Sequence, residues 1–206
     1  TLSSSSAASD VYKRQGNKMS RLAVVAIGGN SLIRDNKHQS VVDQCEVAGE
    51  TCRHIAALIE LGYDVVIVHG NGPQVGSALL RSEVARDTLG ATPLDSCVAE
   101  TQGLIGHILQ QNLENEFRLR KMSRHAVTVV TQVVVDKSDA AFMFPSKPIG
   151  PFLSREEAER HKREDGWDIA EDSGRGYRRV VASPKPLAIV QEAAIRTLVR
   201  SGFVVI

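Results

Sequence analysis

Two stretches constrain this chain more than any others. AVVAIGGNSL at 23–32 and VVIVHGNGPQVG at 65–76 each run through mostly β-branched residues, end in glycine and asparagine, and then turn helical. Continuous apolar runs of this kind predict strands buried on both faces of a parallel sheet, the first over 22–27 and the second over 63–68. Between them, Val41, Cys45, Ala48, Cys52, Ile55 and Ile59 recur at helical spacing, which predicts a helix over roughly 40–61 closed by Gly62. Pro73 falls just inside the helix that follows HGNG, where its missing N–H costs nothing.

The alternation continues along the chain. A helix is expected from about Asp95, as its cap, to Lys121, with Val98, Ile105, Leu109 and Leu113 facing inward. AVTVVTQVVV at 126–135 reads as a third, longer strand, and after Pro186 a helix over 187–201 leads to a strand at 203–206. Strands alternating with helices predict an α/β fold: a three-layer α/β/α, doubly wound, mostly parallel sheet. The segment at about 136–180 is rich in Pro, Gly and charge, with a short amphipathic helix near Arg155–Glu164. It reads as a small protruding β-rich flap, and an insertion of that size is more often functional than idle. Residues 1–18 read as a non-native or disordered leader before Met19, leaving 19–206 as the folded domain. GFVVI breaks off inside a strand-like run, so a C-terminal part is expected to be missing. The echo between LIELGYDVVIV at 58–68 and LVRSGFVVI at 198–206 predicts a further glycine loop just beyond Ile206.

Composition excludes several function classes. The 206 residues are 42% hydrophobic and 24% charged with a net charge of +1, which suits one soluble domain and gives no basic patch for nucleic acid. No apolar run is long enough to span a bilayer. Cys45, Cys52 and Cys97 form no CxxC pair and have no His at zinc spacing, so reduced, buried thiols, no metal site and a cytoplasmic location are expected.

In doubly wound sheets, ligands bind beyond the carboxyl ends of the strands. Glycine there lets the backbone approach a guest closely, and the N–H groups at the next helix start attract an anion. Asparagine adds an amide that both donates and accepts. Gly28, Gly29, Asn30, Gly70, Asn71 and Gly72 therefore point to a phosphate- or carboxylate-sized guest. Neither corner is a Walker A loop or a GxGxxG fingerprint. A lone Gly-Asn turn after a strand is common; two on neighbouring strands argue for anion binding, and the residues alone go no further.

AIGGNSL, HGNGPQVG, PLDSCVAETQGLIGH, TQVVVDKSDAAFMFPSKPIGPF and EDSGRGYRRVVASPKP follow one another in an order and spacing that resembles the carbamate kinases of the amino acid kinase family, from Leu22 to Ile206. The resemblance implies phosphoryl transfer between ATP and carbamate, giving carbamoyl phosphate and ADP, with the reverse direction making ATP in arginine fermentation. It implies that the six corner residues hold carbamate or carbamoyl phosphate, with Asn30 and Asn71 as side-chain donors. Lys147, between Pro145 and Pro148, is implied as the catalytic residue that closes over the phosphoryl group. Mg2+ would arrive on ATP or ADP, and the full-length protein would be a homodimer. Ser146 stands where the family has threonine, which keeps the hydroxyl. The pattern extends about a hundred residues further in the family, so the residues that hold ATP are expected beyond Ile206 and the fragment itself is expected to be inactive. Arg175, Arg178 and Arg179 are expected to pin the flap more than to touch substrate. His69 is expected to be packed or hydrogen-bonded, with Gln102 and Gly103 lining the cleft. Two other readings stay open: a non-catalytic carbamate-kinase-like anion-binding or regulatory protein, and a kinase of the same fold acting on another small acid.

Overall fold

The structure is a computed structural model of the chain and describes residues 21–33 and 40–206. The expected leader and Met19 lie outside the described residues. The fold is the expected α/β one. Strands β1 (Arg21–Ile27), β2 (Tyr63–His69), β3 (Ala126–Val127) and β9 (Val204–Val205) form a parallel sheet in the order β1-β2-β9-β3. A second pair, β4 (Val133–Val135) with β8 (Pro186–Ile189), is antiparallel.

Helices α1 (Val41–Glu60) and α3 (Leu94–Leu119) pack on each other against one face of the parallel sheet. Their apolar faces supply Ala48, Cys52, Ile55 and Ile59 from one helix and Ile105, Leu109, Leu113 and Phe117 from the other, closing over Val65 and Ile67. Ser40 and Asp43 form a reciprocal capping box at the start of α1. Burial pushes the Cys52 thiol up to about 12, so it stays protonated. Helix α2 (Gly72–Leu89) carries Pro73 in its first turn.

Four expectations need correction. β1 is not buried on both faces: Leu22 and Val24 are 57% and 65% exposed, because β1 is an edge strand and no described element covers that side of it. Asp95 is not the cap of α3; Pro93 holds that position, and Asp95 accepts from the Ser96 N–H (2.8 Å) inside the first turn. The long strand at 126–135 is two short ones. Bonding to the β9 side ends at Val129, whose N–H donates to Ile206 O (2.9 Å), and glutamines from α3 take the amides on the other side: Gln110 accepts from Thr128 N–H (3.0 Å) and Gln102 from Thr131 N–H (2.8 Å). The last helix, α5, is Glu192–Arg200, since Pro186–Ile189 pairs with β4 instead.

Strands β5 (Lys147–Leu153), β6 (Asp168–Glu171) and β7 (Tyr177–Val181) form an antiparallel sheet in the order β5-β7-β6, with helix α4 (Arg155–Glu164) at the expected bounds. This flap lies on α2: a Cβ on Gly76 would sit 3.9 Å from Gly150 Cα. Asp165, at the end of α4, is bonded to Arg86 of α2 and to His161 (2.6 Å). Arg175 and Arg178 pair with Asp172 at 3.0 and 3.4 Å, and both guanidinium groups lie over Phe152. They pin the flap to itself, as expected. Among the described residues no helix is long and apolar enough to cross a membrane.

Two outcomes test this packing. A Cβ on Gly106 would fall 2.1 Å from Thr128 Cγ2, and Thr128 is held by Gln110, so Gly106→Ala should cost about 1–3 kcal/mol in denaturant unfolding. The Arg86 guanidinium, assisted by His161, holds the Asp165 carboxyl at about 2, below its ordinary 3.8. A carboxyl lowered on folding stabilises above its ordinary value and ceases to as pH falls through the folded one. Stability should therefore drop between about pH 4 and pH 2, and less steeply in Asp165→Asn, in a pH series of thermal melts.

Candidate functional site

The pairing of β1 with β2 runs without a shift from Arg21 opposite Tyr63 to Ile27 opposite His69. The next residues, Gly28 and Gly70, consequently leave the sheet side by side. The Gly70 N–H continues the ladder one step further, donating to Ile27 O at 2.9 Å. A Cβ on Gly70 would sit 2.9 Å from Gly29 N, and one on Gly29 would sit 3.1 Å from Pro73 Cδ and 3.2 Å from Asn71 N. The two corners are in direct backbone contact, and any side chain at either glycine would wedge them apart.

Gly29 opens a single 3-10 turn, Gly29–Leu32, whose Leu32 is fully buried. The backbone of Asn30 belongs to this turn, and its side chain, the expected donor, is outside what the structure describes. In the second corner Asn71 precedes α2 but its side chain does not cap the helix. Its Nδ2 donates instead to Thr101 Oγ1 (3.0 Å), and Thr101 donates its own proton to Val98 O (2.9 Å). Because that hydroxyl proton is committed, Thr101 can only accept from Asn71, which fixes the amide's orientation. Among the described residues, the carboxamide oxygen and the second N–H of Asn71 have no further hydrogen bond. Gly72 is exposed with open space where a Cβ would point. The first turn of α2 thus offers the N–H of Gly72, uncapped, at the positive end of an 18-residue helix. Beside it, Gln74 donates to Gln44 (3.0 Å), while its own carbonyl oxygen is buried without a partner among the described residues. A cavity of about 210 Å3 borders Pro73, Gln74 and Ser77.

His69 is half-buried with Nδ1 3.3 Å from Gly70 O, and burial lowers its pKa, which keeps the imidazole neutral at pH 7. Gln102 does not face the corners; it clamps Thr131 through both amide atoms, at 2.8 and 3.3 Å. Gly103 is exposed on the outside of α3. Thr101, 2% exposed, was not singled out by sequence; its only signal is a hydroxyl on the stripe that continues through Ile105, Leu109 and Leu113. Lys147 begins β5 opposite Val181, exposed and without an ion-pair partner among the described residues. It stands three residues before Gly150, the point at which β5 crosses α2 one turn after the second corner. Among the described residues Lys147 makes no hydrogen bond or ion pair to either corner, so the corner residues are brought together while the lysine sits on the neighbouring flap.

Neither corner contains an Asp or Glu, so neither offers carboxylate ligands to a divalent cation. Among the described residues, one group could gather around a metal ion: Glu83, His161 and Asp165, with donor atoms within 4.8 Å of one another. It lies at the flap–α2 contact, and Asp165 is already bonded to Arg86 and His161.

The family model described as the amino acid kinase family matches residues 21–206. A carbamate kinase-like protein of Escherichia coli, YahI, is 51% identical over 191 residues, covering 91% of this chain and 60% of that protein. The carbamate kinase of Pyrococcus furiosus is 47% identical over 190 residues, again covering 60% of its length. Among solved structures, the carbamate kinase of Giardia lamblia bound to AMP-PNP superposes with a TM-score of 0.83 at 35% identity, covering 91% of this chain and 60% of that one. The chain therefore spans about 60% of the length of the relatives it matches.

The contact between corners yields a direct test. Replacing Gly70 by Ala places a methyl 2.9 Å from backbone that cannot rotate away, so Gly70→Ala should cost about 1–3 kcal/mol in unfolding experiments. Gly72→Ala, with open space, should change stability by less than about 1 kcal/mol.

Proposed function

We propose that this chain, which belongs to the amino acid kinase family, is the acceptor-binding part of an enzyme that transfers a phosphoryl group between ATP and carbamate, giving carbamoyl phosphate and ADP. One observation carries the reading: the two glycine corners abut at the carboxyl ends of adjacent parallel strands, beneath a helix start that no side chain caps. Donors gathered there suit a small anion and leave little room for a bulky one. The names of the relatives from Escherichia coli and Pyrococcus furiosus, and the nucleotide analogue named with the Giardia lamblia structure, support the same chemistry.

On this reading, the N–H groups at Gly28, Gly29 and Gly72 hold the carboxylate end of carbamate or the phosphoryl oxygens of carbamoyl phosphate. Asn71, oriented by Thr101, supplies the amide that distinguishes a carbamoyl group from a plain phosphate; Asn30 is assigned as its counterpart. Lys147 reaches from the start of β5 to neutralise charge on the transferring group. Such transfers need alignment and charge neutralisation more than covalent help. With no carboxylate at either corner, Mg2+ would come with ATP or ADP, whose binding residues we assign to the part of the relatives that this chain does not span. The whole protein would work in the cytoplasm as a homodimer, running toward ATP in arginine fermentation.

The full-length protein carrying this sequence should form ATP from carbamoyl phosphate and ADP. Lys147→Ala should lower kcat by about a hundredfold or more. Thr101→Val should raise KM for carbamoyl phosphate by about tenfold, and Thr101→Ser should restore it. Binding of carbamoyl phosphate without turnover would favour a non-catalytic anion-binding protein. Turnover of another acyl phosphate in its place would favour a different small-acid kinase.

A further inference from the structure

We propose that the protein carries a second small-molecule site, distinct from the corners, in the cavity between the far half of α2 and the flap, and that this site takes a small organic carboxylate with a flat apolar body. The cavity measures about 520 Å3, within the range of ligand pockets. Leu79 and Leu80 of α2, Pro93 and Leu94 before α3, and Ile149 and Phe152 of β5 form its apolar walls. Leu80 and Phe152 are 50% and 45% exposed, so the walls present apolar surface that the chain itself leaves uncovered.

The polar side of the cavity decides the ligand's charge. Its carboxylates are all occupied: Asp165 by Arg86 and His161, Glu83 by Arg86 (3.5 Å), and Glu157 by the Ser154 N–H (2.8 Å) in the cap of α4. Arg160 lies 3.4 Å from His161 Nε2. Arg179 differs from all of these. Its guanidinium lies 4.6 Å over the Trp167 ring, half-buried, with no oxygen partner among the described residues. Burial lowers its pKa from the ordinary value and outweighs the attraction of the Asp165, Asp168 and Glu83 carboxylates around it, none of which it hydrogen-bonds among the described residues. A planar fork of N–H donors in this state matches a carboxylate in two parallel hydrogen bonds. The ring of Phe152, 45% exposed on the cavity wall, suits a flat body behind that carboxylate, with Trp167 held in place by its stacking on the buried His161. A metal ion fits less well, since it would have to displace Arg86 from Asp165.

Occupancy would bridge two bodies that the candidate site draws on. One wall belongs to α2, whose first residue is Gly72, and another to β5, whose first residue is Lys147.

Trp167 is the sole tryptophan of the chain, so its fluorescence reads this cavity. Titration with 3-phenylpropionate should give a saturable change, with affinity at least about tenfold above that of the uncharged 3-phenylpropan-1-ol. Arg179→Gln should bring the acid down to the level of the alcohol, and Leu80→Glu, on the exposed wall, should weaken the acid by about tenfold. Calorimetric titration of each variant gives the same affinities independently of the altered surroundings of Trp167. Absence of saturable binding by the acid, equal binding of acid and alcohol, or undiminished acid affinity in Arg179→Gln would each overturn the proposal. None of these results bears on whether carbamoyl phosphate is turned over at the corners.

Discussion

The unshifted parallel register of β1 and β2 is the constraint on which the rest depends. With Ile27 opposite His69, both strands end at the same height, and their glycines emerge as neighbours. A slip of one residue would reverse which side chains meet the core and would offset the corners by a full residue. What holds the register is burial on one face only: Val65 and Ile67 under α1 and α3, with Ile27 beside them. The backbone groups at the strand ends are therefore positioned by hydrophobic packing several residues away. The absence of side chains at Gly29 and Gly70 lets the two backbones touch once they arrive.

The second corner shows how a local preference yields to a longer-range one. Asparagine before a helix ordinarily folds back to cap it. Here Asn71 turns to Thr101, thirty residues on, and the start of α2 stays uncapped. A helix deprived of its cap loses about 1 kcal/mol, a cost tolerated where the free N–H groups have other work. Pro73 reduces the loss, because a residue without an N–H leaves one fewer donor to satisfy.

Much of this was legible in the residues. β1, α1, β2 and α4 stand close to their expected bounds because each is marked by an unambiguous period or by a capping Ser with an acid three residues later, as at Ser40 and Ser154. The Val-rich run at 126–135 misled, because periodicity cannot register where a neighbouring strand stops: bonding to the β9 side ends at Val129, and Gln102 and Gln110, from a helix earlier in the chain, bond Thr131 and Thr128 instead of a further strand. The exposure of Leu22 and Val24 was invisible for a similar reason: an apolar run specifies what can be buried, and neighbours decide what is. At the site, the corners were visible as glycine and asparagine after apolar strands. Thr101 was not, since a single hydroxyl on an apolar stripe reads as tolerated polarity until its partner is known.

The flap's attachment follows from the same logic of committed and uncommitted charges. Asp172 satisfies two arginines within the flap, and Asp165 ties the flap to Arg86 of α2. Both links are charged, and beside them β5 meets α2 closely where Gly150 passes Gly76, next to Leu79, Leu80 and Ile149. Small residues at a crossing let backbones approach closely and give up the interlocking that larger side chains would provide. A flap so joined is held to α2 by a charged hydrogen bond at Asp165 and by close backbone approach at Gly150. Lys147 starts the same sheet that Asp165 ties to Arg86, so the approach to the corners proposed for this lysine would rest on that ion pair as well as on the glycines.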